Sequence, residues 1–385
     1  MVDTPKCLEF CKPARPAGSV AAVALPLLLT IHASGGIETT IDSENTDRAA
    51  AVRLALATFP EGTARRVVVI AAGKEDRGPS AGPARPAPAE GPKPQSSATP
   101  TLESRLMPLI AAHKGKVAVA VLHLDTGESF RYHASEVMPT ASLIKFPVMI
   151  EAYRQAAAKQ VDLDATLTLK KSDKVPGSGV LTYHFSDGAT FKLRDAVRLM
   201  IAFSDNTATN LVLDAIGIGA TAATMEMLGY PNTKIHAKVF RRDTSVFPER
   251  SKQFGLGSTT PDEMIKLCAA VYRKQLVSPA ACEEMLGHLR ACEDKDKFPR
   301  FLPPQTKVAF KTGSLDETRT AAGIIECPGG PVAVCVMSCQ NQDKRWVPDN
   351  AGNRLCAEIA RAVYDHFDRS AAADAKAKKT AENRP

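Results

Sequence analysis

Three short stretches carry side chains whose types and spacing could open an acyl bond. "TASLIKF", starting at Thr140, sets Ser142 three residues before Lys145. A serine hydroxyl is a poor nucleophile at neutral pH and needs a base. A lysine can be that base only where apolar surroundings or nearby positive charge lower its pKa. Leu143, Ile144, Phe146 and Val148 supply apolar neighbours. "FSDNTATN" (203–210) then places Ser204, Asp205 and Asn206 between two apolar helical runs. "FKTGS" (310–314) adds a cation at Lys311, hydroxyls at Thr312 and Ser314, and Gly313 where a backbone could approach closely. Each stretch also has a plain structural reading. Lys145 could snorkel, Asp205 could simply cap a helix, and Lys311 could sit on an edge strand.

The elements that must position these residues can be read between about 101 and 367. "LESRLMPLIAAHK" is an amphipathic helix, and "KVAVAVLHLDTGESFRYH" alternates about a DTG turn, as a β-hairpin does. The segment Thr140–Gln155 reads as a helix capped by Thr140 or Ser142, which puts Ser142 and Lys145 on one face. In "LRDAVRLMIAF", Leu193, Val197, Met200 and Ile201 recur with helical period. Gly217 reads as a C-cap. Thr260 and Pro261 read as the start of a further helix. Strands return at 307–314, 319–327 and 331–339, the last two joined by "PGG". A helix with Leu355, Ile359, Val363 and Phe367 four apart closes the body. The order predicts an α+β fold: an antiparallel sheet flanked by N- and C-terminal helices, with an inserted all-helical region. A site is expected where the two regions meet.

S-x-x-K, S-D-N and K-T-G in this order resemble the class A β-lactamases and penicillin-binding serine hydrolases. About sixty residues separate the first two motifs and about a hundred the next two, and the likeness covers 101–367. The resemblance implies a β-lactamase-like fold and a β-lactam or cell-wall peptide as substrate. It implies that Ser142 is acylated, Lys145 takes its proton, and Ser204 relays a proton toward the leaving nitrogen. Lys311 would tune that step and Asn206 would orient Lys145 and the substrate amide. The N–H groups of Ser142 and Ser314 would form the oxyanion hole. Thr312, Gly313, Ser314 and Arg319 would hold a substrate carboxylate. No cofactor and no metal is implied.

Two departures stand out. The family carries a glutamate in E-x-x-L-N after S-D-N, which activates the deacylating water. The corresponding stretch, 236–261, lacks that pattern, and its carboxylates before Pro261 are Asp243 and Glu249. Glu249 is the better candidate for the base. The family's arginine before the "GII" strand is also displaced: Ala322 fills the nearer position and Arg319 lies earlier. Three functions therefore stay open: a β-lactamase that turns over, a DD-peptidase-like or esterase-like hydrolase that deacylates slowly, and a non-catalytic sensor acylated by penicillins.

Composition fits a soluble globular body, with 44% hydrophobic and 24% charged residues. The net charge of +7 comes with only 5% aromatics and no basic aromatic stripe, which argues against nucleic acid as a partner. Nine cysteines show no CxxC spacing, so no zinc ribbon is expected; Cys335 and Cys339 read as small hydrophobes. Cys282, His288 and Cys292 match no metal-site spacing. Residues 1–100 form an N-terminal extension. Its apolar run 19–31 follows basic residues and precedes small ones, so it reads as an export signal and is too short for a stable membrane span. This predicts a periplasmic or secreted protein, taken as a monomer. The run 77–99 is a Pro/Ala/Gly-rich linker. Within it "GPSAG" mimics a nucleophile elbow but lacks the flanking strand and helix. Residues 368–385 read as a fraying, disordered tail.

Overall fold

A computed structural model describes the backbone of residues 27–33, 38–43, 65–67 and 100–382, and the side chains of 100–368. The chain divides into two units, Met1–Gln95 and Ser96–Pro385. In the first, strands Leu27–Ala33, Glu38–Ser43 and Arg65–Val67 form a small antiparallel sheet with Leu27–Ala33 in the middle. The end of the apolar run 19–31 thus lies in a strand, while residues 19–26, the linker 77–99 and the GPSAG stretch lie outside the described residues.

The second unit is built on a five-stranded antiparallel sheet. Its strands are β1 (Lys116–His123), β2 (Ser129–Tyr132), β3 (Val308–Leu315), β4 (Thr318–Cys327) and β5 (Gly330–Cys339), in spatial order β3-β4-β5-β1-β2. The two ends of the unit meet where β5 pairs with β1, Val334 opposite Val121. The period-two alternation of a strand sorts the core into two layers. Val117, Val119 and Val121, with Val332, Val334 and Val336, join Leu106, Ile359 and Val363 of the terminal helices α1 (Leu102–Ala112) and α9 (Ala351–Glu382). Ala118 and Ala120, with Ala333, Cys335 and Met337, join the apolar faces of the inserted helices. The small alanines on this face let the inserted helices sit close to the sheet.

The insertion comprises α2 (Lys145–Ala157), α3 (Leu193–Ala202), α4 (Asn206–Ile216), α5 (Ile218–Met227), α6 (Pro248–Phe254), α7 (Pro261–Tyr272) and α8 (Pro279–Arg290). Its caps follow the sequence. Gly217, with φ of 81°, ends α4, and the Thr260 side chain accepts from Glu263 N at the start of α7. Two expectations are corrected. No side-chain cap opens the Thr140–Gln155 segment; Ala141–Ile144 is a 3₁₀ turn that leads into α2 at Lys145. The tail from residue 368 is helical and not a coil, since α9 continues to Glu382 through an Ala/Lys-rich run of strong helix formers. Among the described residues no single helix is long and apolar enough to cross a membrane.

The seven described cysteines are free and buried. Burial pushes the Cys335 thiol far above its ordinary range, so it behaves as a small apolar side chain. Cys282 Sγ donates to Leu276 O at 2.7 Å, and His288 Nε2 bonds Tyr153 Oη at 2.8 Å.

Candidate active site

Ser142 sits in the 3₁₀ turn and Lys145 is the first residue of α2. In a 3₁₀ turn positions i and i+3 eclipse, so the shared face is stricter here than on an α-helix. Two contacts press this turn against β3 and β4. Thr320 Oγ1 on β4 donates to Thr140 O at 2.9 Å. At Gly313 a Cβ would stand 2.6 Å from Thr320 Oγ1 and 2.8 Å from Ser142 N, and still closer to Thr140 O. Only glycine permits this approach, which brings the backbone of Ser142 alongside β3.

Lys145 does not snorkel. It is 0% exposed. Its Nζ donates to Ser204 O at 2.7 Å and Asn206 Oδ1 at 2.8 Å, with Ser204 Oγ at 3.3 Å. Burial, and next the positive charge of Lys311, hold its pKa well below the usual lysine range, against an opposing pull from Asp205. Two acceptors satisfy both N–H groups of a neutral amine, which leaves its lone pair for an incoming hydroxyl proton. Lys311 Nζ reaches Ser204 Oγ at 3.0 Å and Thr312 O at 2.9 Å. Burial lowers its pKa to about 8, while the Asp294 carboxylate favours its charged form. Ser204 Oγ therefore lies between two amines whose pKa values burial lowers, so that a proton can pass through it.

Asp205 works as more than a cap. One carboxylate oxygen accepts from Ala208 N at 2.8 Å at the start of α4. The other accepts from Val180 N at 2.7 Å and Leu181 N at 2.8 Å. The buried carboxylate thus ties α4 to the 177–181 loop, where Gly179, at φ +125°, passes so close that a Cβ would lie 2.6 Å from Asp205 Cα. Asn206 Nδ2 donates to Pro176 O at 2.9 Å and fixes the same loop. Ser204 and Ala141 adopt φ of +53° and +47°. Such conformations cost on the order of 1–3 kcal/mol each and persist where the surroundings over-determine them.

These residues open onto a cavity of about 450 Å³ whose walls include Ser142, Ser204, Lys311, Thr312, Gly313 and Ser314. Seven of the ten residues singled out in the sequence are thus gathered here as cavity lining or, for Lys145, through its bond to Ser204; Asn206 joins through Lys145. Two are not. Glu249, on α6, is 84% exposed and bonds Lys252 at 2.7 Å. The short helix presents it to solvent, and it does not line the cavity. Arg319 is buried, and its guanidinium is spent on backbone carbonyls: Leu315 O, Thr318 O at 3.0 Å and Arg345 O at 3.0 Å. It braces the wall and is not a free cation for a carboxylate.

Sequence reasoning missed the wall from Cys292 to Lys297. Asp294 pairs with Lys297 at 2.7 Å, and Lys297 Nζ reaches Ser314 Oγ at 3.1 Å. It also missed Trp346, the chain's single tryptophan, 65% exposed at the rim. The alternating charges of "CEDKDK" just before the K-T-G strand were the available signal.

A serine three residues from a buried lysine of lowered pKa, with a second hydroxyl between two amines, is a constellation suited to acyl transfer. The model of the β-lactamase enzyme family matches residues 101–367, and the chain belongs to that family. A β-lactamase of Bacteroides uniformis is 27% identical over 287 residues, covering 69% of this chain and 90% of the relative. One of Streptomyces fradiae is 27% identical over 308 residues, covering 74% and 90%. The crystal structure of a β-lactamase from Sphaerobacter thermophilus superposes with a TM-score of 0.62 at 30% identity, covering 69% of this chain and 97% of that one. A PBP-A mutant in an acyl-enzyme complex with penicillin G shares the fold, with a TM-score of 0.61 at 22% identity over 70% and 96%.

Proposed function

We propose that the protein is a serine β-lactam hydrolase, hence an agent of antibiotic resistance, working through an acyl-enzyme on Ser142. One observation carries the reading: the fully buried Lys145 amine, held by Asn206 and Ser204 with a lowered pKa, beside the cavity that Ser142 lines. In acylation, Ser142 Oγ attacks the β-lactam carbonyl and its proton passes to neutral Lys145. The N–H groups of Ser142 and Ser314 receive the oxyanion. As the C–N bond breaks, the Ser204 hydroxyl gives its proton to the leaving nitrogen and regains one from Lys145. Lys311, kept charged near neutral pH, stabilises the negative charge that develops around Ser204. Thr312 and Ser314 meet the substrate carboxylate. The order of basic, apolar and small residues around 19–31 supports export, to the periplasm or beyond the cell, and N-terminal sequencing of the mature protein tests it.

A second reading, a relative that acylates readily and releases slowly, is favoured by the outward placement of Glu249. One experiment separates them. The full chain is incubated with a penicillin, with intact mass followed over time beside hydrolysis of a chromogenic cephalosporin. Colour without a lasting adduct supports the hydrolase; a persistent adduct on Ser142 supports the slow relative. Ser142→Ala is expected to abolish both, and no adduct and no colour from the native chain would overturn both readings.

A further inference from the structure

A smaller cavity of about 220 Å³ adjoins the catalytic one, sharing Asp294, Asp296, Ser314 and Trp346 as walls. Three of its features suit a ligand. Asn353 is 7% exposed, lines this annex, and its Oδ1 has no hydrogen-bond partner among the described residues. Its amide is not simply flipped, because Nδ2 donates to Val347 O at 3.3 Å. A buried acceptor without a donor is costly, and a ligand N–H would relieve it. Lys297 is buried and spends two donors on Asp294 Oδ2 and Ser314 Oγ, so one of its three remains. Trp346 is held at its N–H edge and over one face of its ring. Its indole N–H donates to Asp316 Oδ1 at 2.7 Å, and the Arg319 guanidinium lies 5.0 Å from the ring centroid. A large aromatic surface fixed in place yet 65% exposed is a ready platform for a flat group.

We propose that the annex is a substrate subsite on the leaving-group side. It takes the substituent next to the ring carboxylate, selects one that is flat and carries an N–H donor, and anchors the carboxylate itself through Lys297. The proposal rests on the β-lactam reading above and gives that reading a preferred substrate class: cephalosporins with an amino-substituted heteroaryl group at C3. Lys297, and not Arg319, is the cation beside Ser314; its charge is shared with Asp294, so the carboxylate takes its one remaining donor, and the substituent need not be ionised.

The test compares Ser142 acylation by two cephalosporins with the same acyl side chain, one bearing a C3 methyl group and one the amino-heteroaryl substituent. The native enzyme is expected to favour the second. Asn353→Leu should cut that selectivity ratio by about tenfold, the worth of one hydrogen bond near the upper end of its range. Asn353→Asp, which keeps an acceptor, should retain most of the ratio. Lys297→Met should slow both compounds alike, through weaker saturation and not a lower limiting rate. Should Asn353→Leu fail to fold, Trp346→Ala at the exposed rim carries the same comparison and should also lower the ratio. A native ratio near one, or a ratio unmoved by the Asn353 and Trp346 changes, overturns the annex alone. No acylation by either compound overturns the β-lactam reading and the annex with it.

Discussion

Two regions of the second unit are built to opposite designs. In the corner built from Ser142, Lys145, Ser204, Asn206 and Lys311, buried polar groups point at one another and at the cavity. In the loop from 236 to 258, polar groups hold the loop together. His236 Nδ1 bonds Gly255 O at 2.9 Å, Ser245 Oγ bonds Ser251 Oγ at 2.7 Å, and Arg250 donates to Ser258 Oγ at 2.8 Å. Its carboxylates pair with neighbouring surface cations, Asp243 with Arg241 and Glu249 with Lys252. The first region has its polar groups preorganised around the cavity, as the proposed acyl transfer requires. The second is a brace whose acidic groups are turned to solvent. The two halves of a hydrolytic cycle are therefore unequally furnished.

The sharpest way to break the first region is at its base. Lys145→Met removes the amine while filling much of the space, and it leaves Ser204 O and Asn206 Oδ1 without that donor. Loss of a general base costs about 10²–10⁴-fold, so the acylation rate constant should fall by that much. A fall of less than tenfold would show that Lys145 is a structural strut. Gly313→Ala attacks the same corner through the backbone. The added methyl meets Thr320 Oγ1 and the backbone of Thr140 and Ser142, none of which is a flexible side-chain end. Overpacking of this kind costs about 1–3 kcal/mol, expected as a lower melting temperature and about a tenfold slower acylation. Unchanged values would show that β3 can retreat from the 3₁₀ turn without harm.

A milder perturbation is pH. Lys145 must be neutral to accept a proton, so acylation should rise as pH climbs through its lowered pKa, well before ordinary lysines titrate. Lys311 must be charged, so the rate should fall again as pH passes about 8. The expected profile of acylation against pH is a bell whose alkaline limb belongs to Lys311. Lys311→Arg, which stays charged, should shift or remove that limb; a limb that remains in place would assign it elsewhere.

How far the sequence reveals this follows from the range of the interactions. The sheet and its covering helices are written in local periodicity, down to the valine and alanine faces of β1, because alternation directly records which layer a side chain enters. The residues of the proposed acylating corner were legible as three motifs, since a folded chain brings such motifs together only where their backbones are also placed. Lys297 and Trp346 were not legible. Lys297 matters only because Ser314, seventeen residues on, reaches back to it, and Trp346 only because Arg319 and Asp316 hold its ring. Arg319 and Glu249 stand apart for the converse reason. Residue type suggested a role, but the fold sets the guanidinium of one on backbone carbonyls and the carboxylate of the other in solvent.

Glu249→Gln is the smallest expected effect and the most discriminating for the comparison. The substitution keeps size and removes charge at a side chain that is 84% exposed and bonded to Lys252, away from the cavity walls. Acylation of Ser142 and decay of the adduct should both stay within about twofold of native, since isolated surface ion pairs contribute little. If decay slows tenfold while acylation holds, Glu249 is the water-activating base after all, and α6 must turn inward once the acyl group is in place. If neither rate moves, the loop is a brace alone, and the lifetime of the adduct is set within the Ser142–Lys145–Ser204 corner.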